Sequence, residues 1–201
     1  MSKRVYISSD YADNDGDVEV VFYLHKWGKD NSHKVDFVDM AQVASGSVSN
    51  DPDCRPCDLK REFNSQIAAS SAVIFIVGNR TKDRSAGSTC YLAKTHGYFG
   101  PCTPYKQNTN SRKYCKITQI NHSGVDIPAV NNYSYLRHEF EEAVALCKNI
   151  IIVYNSLRKE ESWLPGYMLA YGWKAQPFWK KDFLGNKVGN YDFIKKALGY
   201  E

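Results

Sequence analysis

Long hydrophobic runs are missing from this 201-residue chain. No window approaches the roughly 18 consecutive apolar residues that a spanning helix needs, and the longest uninterrupted run, 72–77, has the length of a strand. No membrane partner is expected. The first seven residues show no charged segment followed by an apolar one, as an export signal would, so the expected location is cytoplasmic. Clustered charge is missing too. The net charge of +4 is spread along the sequence and not gathered into the basic stripe that tracks phosphates, which argues against a nucleic-acid partner. Neither G-x-G-x-x-G nor G-x-x-x-x-G-K occurs, so no glycine-rich turn is present to hold a dinucleotide cofactor or a triphosphate. Internal repeats and low-complexity tracts are also absent.

What is present reads as one α/β domain over 1–201, since a 43% hydrophobic chain of this length can build one sizeable core. Four apolar, β-branched or aromatic runs, 4–8, 35–38, 71–78 and 149–154, predict strands. Two of them are apolar on consecutive residues, as strands covered on both faces must be. Helical stripes lie between: Val18, Val21 and Leu24; Leu59, Phe63 and Ile67; and the strongest, Leu136, Phe140, Ala143, Val144 and Cys147, all expected to face the core. Strands alternating with helices predict a doubly wound, mainly parallel sheet, whose ligand crevice lies past the carboxyl ends of the strands. There the sequence places Ser8, Ser9, Asp10 and Tyr11, then Asp39, then Asn79.

The rhythm breaks over 80–133, where seven glycines and prolines leave room for only one strand-like piece, 114–120, and a long insertion is expected. After 154 comes an aromatic-rich elaboration, 155–201, with Trp163, Tyr167, Tyr171, Trp173, Phe178 and Trp179. Its rings are expected to pack the last strand, 149–154, and a short helix over 191–198 against the sheet.

Six cysteines without an export signal read as reduced thiols more readily than as a disulfide framework. Cys54 and Cys57 have the spacing of a zinc half-site, and Cys90, His96, Cys102, Cys115 and His122 can be offered as further ligands. The remaining spacings match no standard finger, so no metal is expected.

Ser134 can cap the helix that starts at Tyr135. At about 100° per residue, Glu139 falls on the border of the apolar stripe with Tyr135 one turn before it, half sheltered, while Glu141 and Glu142 read as ordinary exposed glutamates. A carboxylate losing solvation there has a raised pKa and suits acid, base or cation-stabilising work.

Three blocks, Lys3 to Ser8, Asp58-Leu59-Lys60-Arg61 leading to the run ending at Thr81, and Ser134 to Phe140, resemble successive blocks of the TIR-like family in their order and spacing. More narrowly they resemble the stand-alone TIR-like proteins that act as sensor and signal-producing subunit in Thoeris antiphage systems. In that family an aromatic, an aliphatic and two variable residues precede a catalytic glutamate, and Tyr135-Leu136-Arg137-His138-Glu139 fits with tyrosine in place of tryptophan. The resemblance implies a flavodoxin-like fold, Glu139 as the catalytic residue, and a pocket for NAD+ as substrate at Ser8, Ser9, Asp10, Tyr11, Asp39 and Tyr135, with no cofactor.

It further implies cleavage of the nicotinamide–ribose bond through an oxocarbenium-like ribosyl centre that Glu139 stabilises or traps. The product is then ADP-ribose or a cyclic form, read by a separate effector protein. A phage component as trigger and assembly into a homo-oligomer follow from the same resemblance. Two rivals stay open: a nucleoside deoxyribosyltransferase-like enzyme, and a non-catalytic interaction module in which Glu139 is incidental.

Overall fold

The computed structural model describes residues 3–10, 17–30, 34–39, 55–84, 106–109, 112–115 and 134–200. Its central element is a parallel sheet whose described strands are β1 (Lys3–Ser8), β2 (Val35–Asp39), β3 (Ala72–Val77), β6 (Asn149–Tyr154) and β7 (Gln176–Pro177), in the order β2-β1-β3-β6-β7. Every pairing in it is parallel. A separate antiparallel pair, β4 (Lys106–Thr109) with β5 (Arg112–Cys115), and a hairpin of β8 (Trp179–Lys181) with β9 (Lys187–Gly189) complete the described strands. The helices are α1 (Asp17–Gly28), α2 (Arg55–Ala68), α3 (Tyr135–Ala145) and α4 (Tyr191–Ala197). The chain moves outward from β1 to β2, then back past β1 to β3, so the crossover direction reverses between β1 and β3. This is the doubly wound flavodoxin-like arrangement expected from the alternation of elements.

Strand alternation splits the core in two. Val5 and Ile7 of β1, Ile74 and Ile76 of β3, and Ile151 and Val153 of β6 face α1 and α4, with Val20, Val21, Leu24 and Ile194. Tyr6, Val73, Phe75, Val77, Ile150, Ile152 and Tyr154 face the other way, onto Leu59, Phe63 and Ile67 of α2 and Leu136, Phe140 and Ala143 of α3. Because β3 and β6 are covered on both faces, their residues had to be apolar without a break.

The aromatic elaboration packs as expected, with additions. Trp27 of α1 stacks on Phe178 at 5.3 Å, Tyr23 meets Trp179 edge-on at 5.1 Å, and both Phe178 and Trp179 are buried. Trp163, Tyr167 and Tyr171 lean on the opposite core, whereas Trp173 stays exposed. β7 went unforeseen, since a two-residue strand carries no periodicity to read. Gly189 marks the tightest contact of this region: a Cβ there would lie 2.4 Å from Trp27 Cζ2 and 2.5 Å from Cη2. Gly189→Ala is therefore expected to destabilise the fold by about 1–3 kcal/mol, measurable as a drop of several degrees in the thermal midpoint. An unchanged midpoint would mean that the hairpin does not sit on Trp27.

Four expected core or surface positions need correction. Val18 is exposed because the buried arc of α1 runs through Asp17, Val20, Val21 and Leu24 instead. Val144 is 37% exposed, and Cys147 is exposed because α3 has already ended: Leu146 is its cap and Cys147 takes a φ of 51°. Glu142 is buried, since α2 covers that side of α3. Most of 80–133, including the expected strand past Cys115, lies outside the described residues.

Candidate active site at the carboxyl ends of β1 and β3

Ser134 caps α3 as anticipated, its hydroxyl accepting from the Arg137 backbone N–H at 3.1 Å. The helix then carries Glu139 into the interior. Glu139 is not half sheltered; it is fully buried, with no exposed surface. Its Oε1 accepts a hydrogen bond from the Tyr6 hydroxyl at 2.6 Å and its Oε2 accepts one from the Ser8 hydroxyl. Tyr6 and Ser8 are two residues apart on β1 and so point to the same face of the sheet, toward α3. Burial pushes the Glu139 carboxyl up to about 8; the bonds from Ser8 and Tyr6 oppose the shift and the negative charge of Asp10 adds to it. At neutral pH the group is therefore mostly a neutral acid.

Behind it lies a polar seam between α2 and α3. His138 is buried, with Nε2 2.8 Å from Asn64 Oδ1, and burial together with the Lys60 charge holds its pKa down at about 3. Lys60 is itself buried.

On the other side of α3, Tyr167 packs on Phe140 with ring centroids 5.6 Å apart, and the Arg137 guanidinium lies 5.6 Å from the centre of the same ring. Arg137 also pairs with Glu141 at 2.8 Å. Burial raises the Tyr167 phenol above its usual range; a hydrogen bond with the Ser134 side chain and the Arg137 charge oppose the shift, and the charges of Asp10 and Glu139 add to it.

Of the residues expected at the crevice, Ser8 bonds Glu139, Asp10 lies close enough to raise its pKa, and Ser9 is buried beside them with its hydroxyl making no hydrogen bond among the described residues. Tyr135 instead packs edge-to-face on Phe63 of α2 at 5.7 Å, and the ring whose hydroxyl reaches Glu139 is that of Tyr6.

Asp39 lies on the opposite face of the sheet from Glu139. Its register partner is Ile7, which places it with α1, where it accepts from His25 Nε2 at 2.5 Å. Asn79 is exposed in the turn after β3. Tyr11 lies outside the described residues, as do Cys54, Cys90 and Cys102. Cys57 and Cys115 have a described backbone only. Among the described residues no group of three or more His, Cys, Asp or Glu is placed to hold a metal ion.

Tyr6 was not singled out in the sequence, although its two-residue offset from Ser8 was the available signal. The α1 face of the same sheet end holds a second polar chain: Trp179 Nε1 donates to Asn155 Oδ1 at 2.7 Å, and Asn155 Nδ2 donates to the buried Asp17 at 3.1 Å. No helix of the described residues is long and apolar enough to cross a membrane. Compared with known proteins, the chain matches no family model and no curated protein.

Proposed function

We propose that the chain is a TIR-like enzyme that cleaves the nicotinamide–ribose bond of NAD+, with Glu139 as the carboxylate that meets the developing ribosyl cation. The observation that carries this reading is a fully buried carboxyl at the switch point of a doubly wound sheet, held on both oxygens by Tyr6 and Ser8. Nicotinamide leaves with the bonding electron pair as a neutral base, so no proton need be donated to it. The ribosyl C1′ left behind is cationic, and a carboxylate fixed beside it stabilises or traps that centre.

The positively charged nicotinamide ring of the bound substrate favours the ionised form of Glu139 and draws its pKa down, so substrate arrival is coupled to release of a proton. Attack by water gives ADP-ribose; attack by a hydroxyl or ring nitrogen of the same molecule gives a cyclic product. A diffusible nucleotide of that kind would act through a separate effector, in the antiphage setting that the resemblance implies. Closure of the carboxyl from solvent is consistent with an enzyme that works only after a trigger such as a phage component.

A carboxyl that is neutral at pH 7 also favours a second reading, proton donation to the departing base of a neutral deoxyribonucleoside. One assay addresses both: purified protein, alone and with lysate from phage-infected cells, is incubated with NAD+ and separately with deoxyribonucleosides, and products are followed by liquid chromatography with mass detection. Release of nicotinamide is expected. If the lysate-treated protein releases bases from deoxyribonucleosides and leaves NAD+ whole, the second reading replaces the first.

A further inference from the structure

The turn that joins β8 to β9 holds two apolar side chains out in solvent: Phe183 is 94% exposed and Leu184 71%. It is not a slack loop. Asp182 Oδ1 accepts from the backbone N–H of Leu184 at 2.9 Å and of Asn186 at 2.8 Å, and Asp182 Oδ2 accepts from Asn186 Nδ2 at 3.1 Å. Gly185 takes the left-handed φ of 85° that closes the turn. The tip is therefore ordered before any partner arrives, which lowers the entropy cost of inserting it into an apolar receptor.

A receptor of that kind lies on the same chain. A cavity of about 400 Å³ opens where β6 begins, lined by Ile150, Ile151, Phe193 and Ala197, with Trp173, 72% exposed, as one wall and Lys174 beside it. A cavity of about 150 Å³ already holds a benzene ring, so this one has room for the Phe183 ring and the Leu184 side chain together.

The tip cannot reach its own slot. Asn149, at the slot, is the first residue of β6 and donates from Nδ2 to the Ala197 carbonyl at 2.8 Å, so the slot lies at the amino ends of the strands. The hairpin departs from the opposite ends. Trp179 N donates to the Ser156 carbonyl at 3.2 Å, past the last residue of β6, and Lys187 pairs at 2.7 Å with Glu19 in the first turn of α1, the turn whose Asp17 meets Asn155. Tip and slot thus meet only between copies. An anionic membrane suits the tip less well, because it requires an excess of basic residues around the apolar pair. Lys180 and Lys187 are paired with Asp192 and Glu19, and Lys181 stands next to Asp182, so the charge around the tip is balanced.

We infer that the Phe183–Leu184 tip is a self-association element that inserts into the slot beside Trp173 of a second copy and joins copies head to tail. Such a contact repeats from copy to copy and builds a ring or a filament instead of stopping at a pair. It is independent of the Glu139 reading.

The test is sedimentation of the full chain over a range of concentrations, with a tip variant, Phe183→Ser with Leu184→Ser, and a slot variant, Trp173→Asp. The wild-type mass is expected to rise with concentration beyond that of a pair. Each variant alone should associate at least about tenfold more weakly. An equimolar mixture of the two should recover a 1:1 complex that grows no further, because each supplies the half that the other lacks. All three substituted side chains are exposed, so melting midpoints should match the wild type. A wild-type protein that stays single or stops at a pair at about 200 μM, a concentration that reveals even weak interfaces, would overturn the inference. So would variants that assemble as the wild type does, or a mixture that forms no complex. Binding of a non-associating wild type, but not of the tip variant, to vesicles rich in phosphatidylserine would assign the tip to a membrane instead.

Discussion

Glu139→Gln is expected to lose at least about a thousandfold in nicotinamide release while melting above the wild-type protein at pH 8.5. Glutamine is close in shape to the protonated acid: its carbonyl oxygen can accept from the Tyr6 hydroxyl, and its amide can donate to Ser8 Oγ after that hydroxyl rotates. The fold therefore has no reason to suffer, and only the charge needed at the ribosyl centre is lost.

The stability effect follows from linkage. The carboxyl titrates near 4.5 when unfolded and at about 8 in the fold, so the folded state holds an extra proton between those values. Its contribution is complete below pH 4.5, declines as pH rises, and is gone above pH 8, a swing on the order of a few kcal/mol. Glutamine does not titrate and escapes this decline.

His138 works in the opposite direction. Its folded pKa of about 3 lies below the unfolded 6.5, so its contribution is complete above pH 6.5 and is lost as pH falls toward 3. The wild-type protein should be most stable across roughly pH 4.5–6.5, where the two slopes oppose each other, and Glu139→Gln should flatten the alkaline side and leave the His138 rise uncompensated up to about pH 6.5, moving the plateau above it. Thermal melts from pH 4 to 9 read this directly. A variant midpoint that tracks the wild type at every pH, or nicotinamide release at the wild-type rate, would each contradict the assignment.

Phe140→Ala is expected to cost about 3–5 kcal/mol, on the order of 10 °C in the midpoint for a chain of this size. Phe140 is 3% exposed and joins three parts of the molecule: its ring lies 5.3 Å from Phe75 on β3, 5.3 Å from Tyr171 and 5.6 Å from Tyr167. Val144→Ala, one turn later, should change stability by less than about 0.5 kcal/mol because that residue faces solvent. Urea unfolding of both variants checks the orientation of α3. Equal losses would mean that the helix is rotated from the position described.

Much of the scaffold is readable from the sequence, for physical reasons that also explain the misses. β3 and β6 declare themselves because burial on both faces demands uninterrupted apolar residues. β7 does not, because two residues carry no periodicity to read. The orientation of α3 is the instructive case. The apolar stripe centres near Leu136, Phe140 and Ala143, but the buried arc runs from His138 round to Phe140 and, at 100° per residue, centres about 60° away, on Glu139 itself.

The difference arises because α2 presents Asn64 and Lys60 to α3, so part of that interface is polar and leaves no hydrophobic trace. Within the site, Ser8 could be placed because it ends a strand. Asp39 ends a strand too, but its register with Ile7 puts its side chain across the sheet with His25, which strand position alone does not reveal.

The outer strand β7 pairs only Val153 and Tyr154, through Gln176 and Pro177. Proline has no amide hydrogen to offer, so this margin of the sheet gives an incoming strand little to bond to. At the far margin, β2 turns Asp36 outward beside Arg4, and a charged pair there resists the same approach. The two outermost described strands of the sheet thus discourage edge-to-edge polymerisation, and copies that assemble would meet through helices or the aromatic elaboration, not by extending the sheet.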